Sequence, residues 1–307
     1  MVVAGAAVHD AALDTLARGS RTFWLASLFL PTDRRLDAAV LYALCRRVDD
    51  TADDAASPTE AWAGLAALDA WIDRGGDPTC DAAREVMARR RIDPQLAHEL
   101  VEGVRSDTGL VRVANDRELL RYCYRVASTV GLMMCGVLGV TDPAALPFAI
   151  DLGVAMQLTN IARDVAEDAR LGRVYLPADR LRALGAGVEP AEVLASREPV
   201  RRVVADLLAL ADRYYASADH GMRAIPWRAR LAVVLASRVY RAIGVRLLRR
   251  GGDPLAGRTV VPRLEQLAWA AVAVVGWLRS PGWRRPHDAA LHVHLAGLPG
   301  AHAPGEG

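Results

Sequence analysis

Apolar residues recur three and four positions apart along almost the whole chain, and alternation of period two is scarce. A sequence patterned this way buries its apolar groups on helix faces and offers little from which to build a sheet. Ala, Leu and Arg, all good helix formers, are abundant throughout. Breaks fall at Pro31-Thr32-Asp33, Ser57-Pro58, Gly75-Gly76-Asp77-Pro78, Thr141-Asp142-Pro143, Gly185-Ala186-Gly187 and Gly251-Gly252-Asp253-Pro254. At such sites Gly and Pro end or restart a helix. No internal repeat or shift in composition divides the segments between them. The expectation is one all-α domain over residues 8–280. A tail rich in Gly, Pro, Ala and His, residues 286–307, is expected to carry no structure.

Composition limits what such a helical chain can do. With 307 residues, 52% hydrophobic and 24% charged, a sizeable core can form under a soluble surface. A formal net charge of +2 makes no electrostatic case for a nucleic-acid partner. None of the 38 basic residues is lysine, which excludes Schiff-base chemistry and a P-loop lysine. Arginine is left as the only fixed positive charge, and it suits bidentate binding of phosphate. Cys45, Cys80, Cys123 and Cys135 form no CxxC pair and read as buried, reduced thiols of a cytoplasmic protein. No basic segment leads into an apolar stretch at the N-terminus, so no signal peptide is expected. The longest run free of charged residues and histidine, Val126 to Thr141, is shorter than the ~18–20 residues that span a bilayer.

Two acidic stretches stand out from this apolar background. In Leu41 to Asp54, Asp49 and Asp53 are four apart, as are Asp50 and Asp54, so each pair shares a helix face. Like charges at that spacing destabilise a helix by a few tenths of a kcal/mol. A solvated acidic helix end leading into Ser57-Pro58 would explain this stretch alone. The second, Gln157 to Pro177, is harder to explain that way. Asn160, Asp164 and Asp168 step by four, drifting only about 40° per step, and Gln157 joins the same face. Two amides and two carboxylates offer oxygen donors only, without His or Cys, which favours Mg²⁺ over Zn²⁺. Arg46, Arg163 and Arg173 cluster around both motifs. Salt bridges would explain each arginine singly; together they suit a ligand with an anionic head and a hydrocarbon tail.

These two stretches resemble the aspartate-rich signatures of the phytoene synthase/squalene synthase family of head-to-head prenyl synthases. The resemblance extends to Ser20-Arg21-Thr22-Phe23 with Leu28 to Pro31, to Tyr122 through Gly131, and to Tyr240 and Arg258, in family order. It implies an isoprenoid-synthase-type helical bundle around a central cavity, and a prenyltransferase that joins two prenyl diphosphates through a cyclopropyl intermediate with release of diphosphate. It further implies that Asp49, Asp53, Asn160, Asp164 and Asp168 hold Mg²⁺, with Mn²⁺ as the alternative ion. Arg46, Arg163, Tyr175, Tyr240 and Arg258 would bind phosphate oxygens. Ser20, Phe23, Tyr42, Tyr122 and Gln157 would line the reacting end, with Tyr122 among the catalytic residues. Metals and arginines would stabilise the leaving diphosphate, and apolar and aromatic walls would shield the carbocation from water.

The first reading of the product is phytoene, from two geranylgeranyl diphosphates. The alternative is a squalene, dehydrosqualene or hydroxysqualene synthase acting on farnesyl diphosphate. No GxGxxG fingerprint occurs, and NADPH is not expected. A non-catalytic helical partner protein would be free to lose the aspartates, yet both motifs are intact. The small residues Ala127, Gly131, Gly136 and Gly139 would leave room for the longer prenyl chain, along a wall from Val126 to Val140 facing Leu25 to Leu30. His292 and His294 are assigned to the structureless tail rather than to a metal site. Trp277 and Trp283, with Arg279, Arg284 and Arg285, fit a peripheral contact at the inner membrane surface as well as ordinary packing. No oligomeric state is assigned.

Overall fold

The helix breaks read from the sequence lie between helices in the computed structural model, which describes residues 2–19, 24, 27, 28, 30–279 and 286–301. The expectations for Ser20, Phe23, Leu25, Trp283, Arg284 and Arg285, and for the side chains of Trp277 and Arg279, lie outside what is described. The helices are α1 (Val2–Gly19), α2 (Thr32–Asp53), α3 (Pro58–Arg74), α4 (Pro78–Arg90), α5 (Gln95–Arg105), α6 (Asp116–Cys123) and α7 (Thr129–Leu138). They continue as α8 (Leu146–Arg170), α9 (Ala178–Ala183), α10 (Pro190–Ala195), α11 (Arg197–Gly221), α12 (Trp227–Arg249) and α13 (Arg263–Arg279). Short 3₁₀ turns at Pro143–Ala145, Met222–Ala224, Pro254–Ala256 and Ala289–Leu295 complete the chain.

Local chemistry fixes several boundaries. Pro58 follows an extended Ser57, whose hydroxyl accepts from Glu60 N at 3.2 Å, while the Glu60 carboxylate accepts from Ala56 N at 3.0 Å. This side-chain cap separates α3 from the acidic end of α2. Asp77 caps α4 in the same way, accepting from Thr79 N and Cys80 N.

The bundle is built around α8. Its residues Ile150, Val154, Ala155, Leu158, Ile161, Ala162 and Val165 are buried at spacings of three and four. Along α8 lies α11, which buries Val200, Val203, Val204, Leu207, Leu208, Ala211, Tyr214 and Tyr215. Residues 143–170 are long and apolar enough to cross a membrane, but 61% of their most apolar window is buried inside the bundle, as a core helix requires. α2, α7 and α12 complete the walls around an internal cavity.

Two local irregularities matter for the site. Between α6 and α7, residues Tyr124–Ser128 form one π-helical turn, a feature that re-aims side chains within a helix. Ser128 Oγ there donates to the Ile150 carbonyl at 2.8 Å. The backbone approaches α8 so closely that a Cβ on Gly153 would lie 2.5 Å from Ser128 Cα. A two-residue strand, β1 (Val111–Arg112), also pairs in parallel with β2 (Arg173–Val174), the one ladder among the described residues. It ties the chain after α5 to the chain after α8.

The tail departs from expectation. Residues 286–301 pack on the bundle, with Leu291, His292 and Leu295 buried. Their backbone carbonyls are met by side chains from the core: Tyr214 Oη donates to Leu291 O at 2.7 Å, Tyr124 Oη to Pro299 O at 2.5 Å, and Arg121 to Ala296 O at 3.2 Å. Composition conceals this, because the donors lie far away in sequence.

Gly153→Ala should cost about 1–3 kcal/mol, the typical penalty of overpacking, because the atoms it meets are backbone atoms of the π turn. Chemical denaturation of the variant against the parent protein measures it.

Candidate active site

A cavity of about 490 Å³ runs through the bundle, a size typical of small-molecule sites. Its wall is largely apolar, with Val130, Met133, Met134 and Leu138 from α7, Phe148, Leu152 and Met156 from α8, and Ala229, Ala232 and Val233 from α12. Polar groups among its lining residues include Tyr42 and Asp49 from α2, Gln157 and Asn160 from α8, and Tyr240 from α12. Cys45 shares the wall beside Asp49; burial pushes its thiol up to about 12, so it stays neutral. A greasy channel with a polar end follows directly from periodicity. On α2, Tyr42, Cys45 and Asp49 recur at three and four, and on α8 Gly153, Met156, Gln157 and Asn160 do the same.

Around that polar end the two acidic motifs approach one another. Arg173, just past α8, lies 3.5 Å from Asp53 at the end of α2. Arg46 bonds Asp50 and lies 3.8 Å from Asp49. Arg163 pairs with Asp164 through two hydrogen bonds, one of them Nε to Oδ1 at 2.8 Å. Arg258 reaches the same carboxylate, with Nε 3.2 Å from Asp164 Oδ1 and Nη1 3.3 Å from Glu167 Oε2.

Tyr122, expected on the cavity wall, is not among the lining residues. It stands behind the polar end, its ring stacked on Tyr175 at 4.9 Å between centroids. Both phenols donate to one carboxylate, Tyr122 Oη to Asp107 Oδ2 at 2.8 Å and Tyr175 Oη to Asp107 Oδ1 at 2.7 Å. Asp107 escaped the sequence reading because it has no spaced acidic partner. It follows α5 in Arg105-Ser106-Asp107-Thr108-Gly109, and only the β1–β2 pairing carries it to the second motif.

The small residues of this wall do not all face the cavity as expected. Ala127 and Gly131 line the cavity, but Gly136 faces Ile92, whose Cγ1 would lie 2.4 Å from an added Cβ, and Gly139 faces Arg34. Gly153 and Gly221 line the cavity instead.

Electrostatically the site is short of positive charge. Burial, only partly offset by Arg46, raises the Asp49 carboxyl to about 6, with Asp53, Asp50 and Asp107 adding to the rise. The Asp49 side chain is 42% exposed, but toward the cavity, where solvation is poorer than in bulk water. Asp168 is raised to about 7 by burial and by Asp164, with Arg173 opposing and Asp107 and Glu167 contributing. Asp107 is itself raised by burial, against hydrogen bonds from Tyr175 and Tyr122. Asn160 Oδ1 is buried without a hydrogen-bond partner, while its Nδ2 points to Gln157 Oε1 at 3.4 Å. Crowded carboxylates and an orphaned amide oxygen fit a hard divalent cation, which would relieve the repulsion and complete the amide.

Residues 16–265 match the squalene/phytoene synthase family profile. The chain belongs to the squalene/phytoene synthase family. It is 37% identical over 279 residues to the phytoene synthase of Pseudescherichia vulneris, covering 86% of this chain and 90% of the relative. It is 37% identical over 303 residues to the 15-cis-phytoene synthase of a Paracoccus species, covering 90% and 97%. The fold is that of a dehydrosqualene synthase crystallised with ligand, at a TM-score of 0.77 and 24% identity, over 90% of this chain and 98% of that one. A squalene synthase from Alicyclobacillus acidocaldarius superposes with a TM-score of 0.75 at 24% identity, over 82% and 97%. The all-α isoprenoid synthase architecture is therefore shared with this family.

Because burial raises Asp168 above an ordinary carboxylate, its protonated form favours the folded state, and that contribution is lost as pH rises through about 7. Asp168→Asn should raise the melting temperature of the metal-free protein near pH 8, with the gain shrinking toward pH 4. Scanning calorimetry across that range, in the presence of a chelator, measures it.

Proposed function

We propose that this family member is a phytoene synthase, condensing two geranylgeranyl diphosphates head to head with Mg²⁺ as the physiological ion. The observation that carries the reading is an apolar cavity that runs down α8 from the acidic end. On α8 its lining extends from Asn160 to Phe148, twelve positions and about 18 Å of helix at 1.5 Å per residue. Such depth suits a long isoprenoid tail with its diphosphate held at the polar end. The curated bacterial relatives named phytoene synthase support the same substrate.

In this reading Asp49, Asp53, Asn160, Asp164 and Asp168 would hold the ions, whose charge would offset that of the departing diphosphate. Arg46, Arg163, Arg173 and Arg258 sit on the carboxylates of that set and offer guanidinium groups to the same phosphate oxygens. Tyr42, Tyr240 and the α7 and α8 walls exclude water from the allylic cation. Asp107 positions Tyr122 and Tyr175 beside the polar end. Loss of the second diphosphate from the cyclopropyl intermediate would leave a cation that rearranges and gives up a proton, a route that needs no hydride donor. We also propose a cytoplasmic enzyme in peripheral contact with the membrane. Trp227, Val272, Val274 and Val275 are exposed on the packed α12–α13 pair, and α12 also forms one wall of the cavity.

Purified enzyme incubated with Mg²⁺ and geranylgeranyl diphosphate should yield phytoene without NADPH, as identified by mass spectrometry. Turnover of farnesyl diphosphate alone would contradict the reading, and an NADPH requirement would point to a squalene synthase. A Cβ on Gly131 meets only Ala149 O at 3.4 Å, so a larger side chain there grows into the cavity. Gly131→Leu should therefore shift the preference toward the shorter diphosphate by tenfold or more, while Gly136→Leu should destabilise the fold without that shift.

A further inference from the structure

Asp151 points away from the diphosphate end. It lies nine residues before Asn160 on α8, about 14 Å along the axis. Its side chain is fully buried and pairs with no arginine among the described residues. The contrast with Asp37 is instructive: that carboxylate, equally buried, is clasped by Arg89 and Arg90. Asp151 instead meets two imidazoles from the C-terminal segment, with His287 Nε2 2.9 Å from Oδ2 and His292 Nε2 3.0 Å from Oδ1. One ligand atom from each of the three residues lies within 4.8 Å of the other two. Hydrogen bonding does not complete the cluster, because Nδ1 of His292 is buried with no partner.

We propose that Asp151, His287 and His292 form a structural site for a borderline transition ion, Zn²⁺ above all, separate from the catalytic ions. Two imidazoles and one carboxylate are the mixed donor set that such an ion takes, unlike the oxygen-only set at the diphosphate end. Four residues separate His287 from His292, a spacing that recurs in zinc sites. Ser217 Oγ donates to Asp151 Oδ2 at 2.5 Å and orients the carboxylate from behind, as partners of ligating carboxylates do. With three protein ligands, one tetrahedral position is left for water.

The ion would clamp the C-terminal segment to α8 at the apolar end of the cavity. The ring of Phe148, a lining residue, packs edge-on against His287 at 5.2 Å between centroids. Fixing His287 therefore fixes the wall on which the prenyl tail rests.

The test is the zinc content of the full chain, expressed without a polyhistidine tag and gel-filtered in excess Mg²⁺. About one zinc per chain is expected. Reconstitution with Co²⁺ should give the visible bands of a tetrahedral site, and dipicolinate should lower the melting temperature by several degrees. His292→Ala and His287→Gln should lose the zinc and the bands, whereas Asp168→Asn should keep both. Folded parent protein with little zinc, no cobalt bands and a melting temperature indifferent to dipicolinate would overturn the proposal. So would zinc retained in both histidine variants. Neither reading of the parent protein depends on a variant that folds.

Discussion

Mutual repulsion among crowded carboxylates is the constraint on which the rest of this site depends. Asp49, Asp53, Asp107 and Asp168 act on one another at the end of an apolar channel, and the arginines nearby offset only part of the repulsion. A helical bundle has no stability reason to gather them. Burial, with the neighbouring carboxylates adding to it, raises Asp49 to about 6 and Asp168 to about 7, so protonation could relieve the strain; a divalent cation relieves it without a proton. The fold keeps the carboxylates together through elements that do not themselves carry negative charge. The β1–β2 ladder fixes the chain after α5 beside the chain after α8, and the close contact between Gly153 and Ser128 sets α8 against the π turn.

Much of this was legible in the residues. The period of three and four that separates helix from strand also puts Asp49 above Cys45 and Tyr42, and Asn160 above Gln157 and Met156. Each helix thus announces both its apolar face and the end at which that face turns polar. The second motif was the stronger signal because four oxygen donors on one stripe have no packing rationale.

What stayed hidden depends on long-range geometry. Asp107 has no partner in its own segment, and only pairing between distant strands gives it one. The orientation of Gly136 and Gly139 depends on where Ile92 and Arg34 arrive, so small residues beside a cavity helix could not be sorted into lining and packing positions. The C-terminal segment was misread for a related reason. Its Gly- and Pro-rich composition argues against a helix or strand, not against order, and tyrosines on α11 and the π turn hold its carbonyls in place. Arg163 and Arg258 were expected to face phosphate, and both rest on Asp164. A ligand that arrives with its own charge can exchange with that pairing.

The central claim is that the two acidic helices share their cations. Crystals grown with Mn²⁺ and inorganic diphosphate, with anomalous scattering collected at the manganese edge, test it most directly. The account predicts manganese between α2 and α8, bound by Asp49 from one helix and by Asn160 or Asp168 from the other, with diphosphate completing the coordination. Manganese confined to one motif, or absent from the space between the helices while diphosphate is bound, would contradict it.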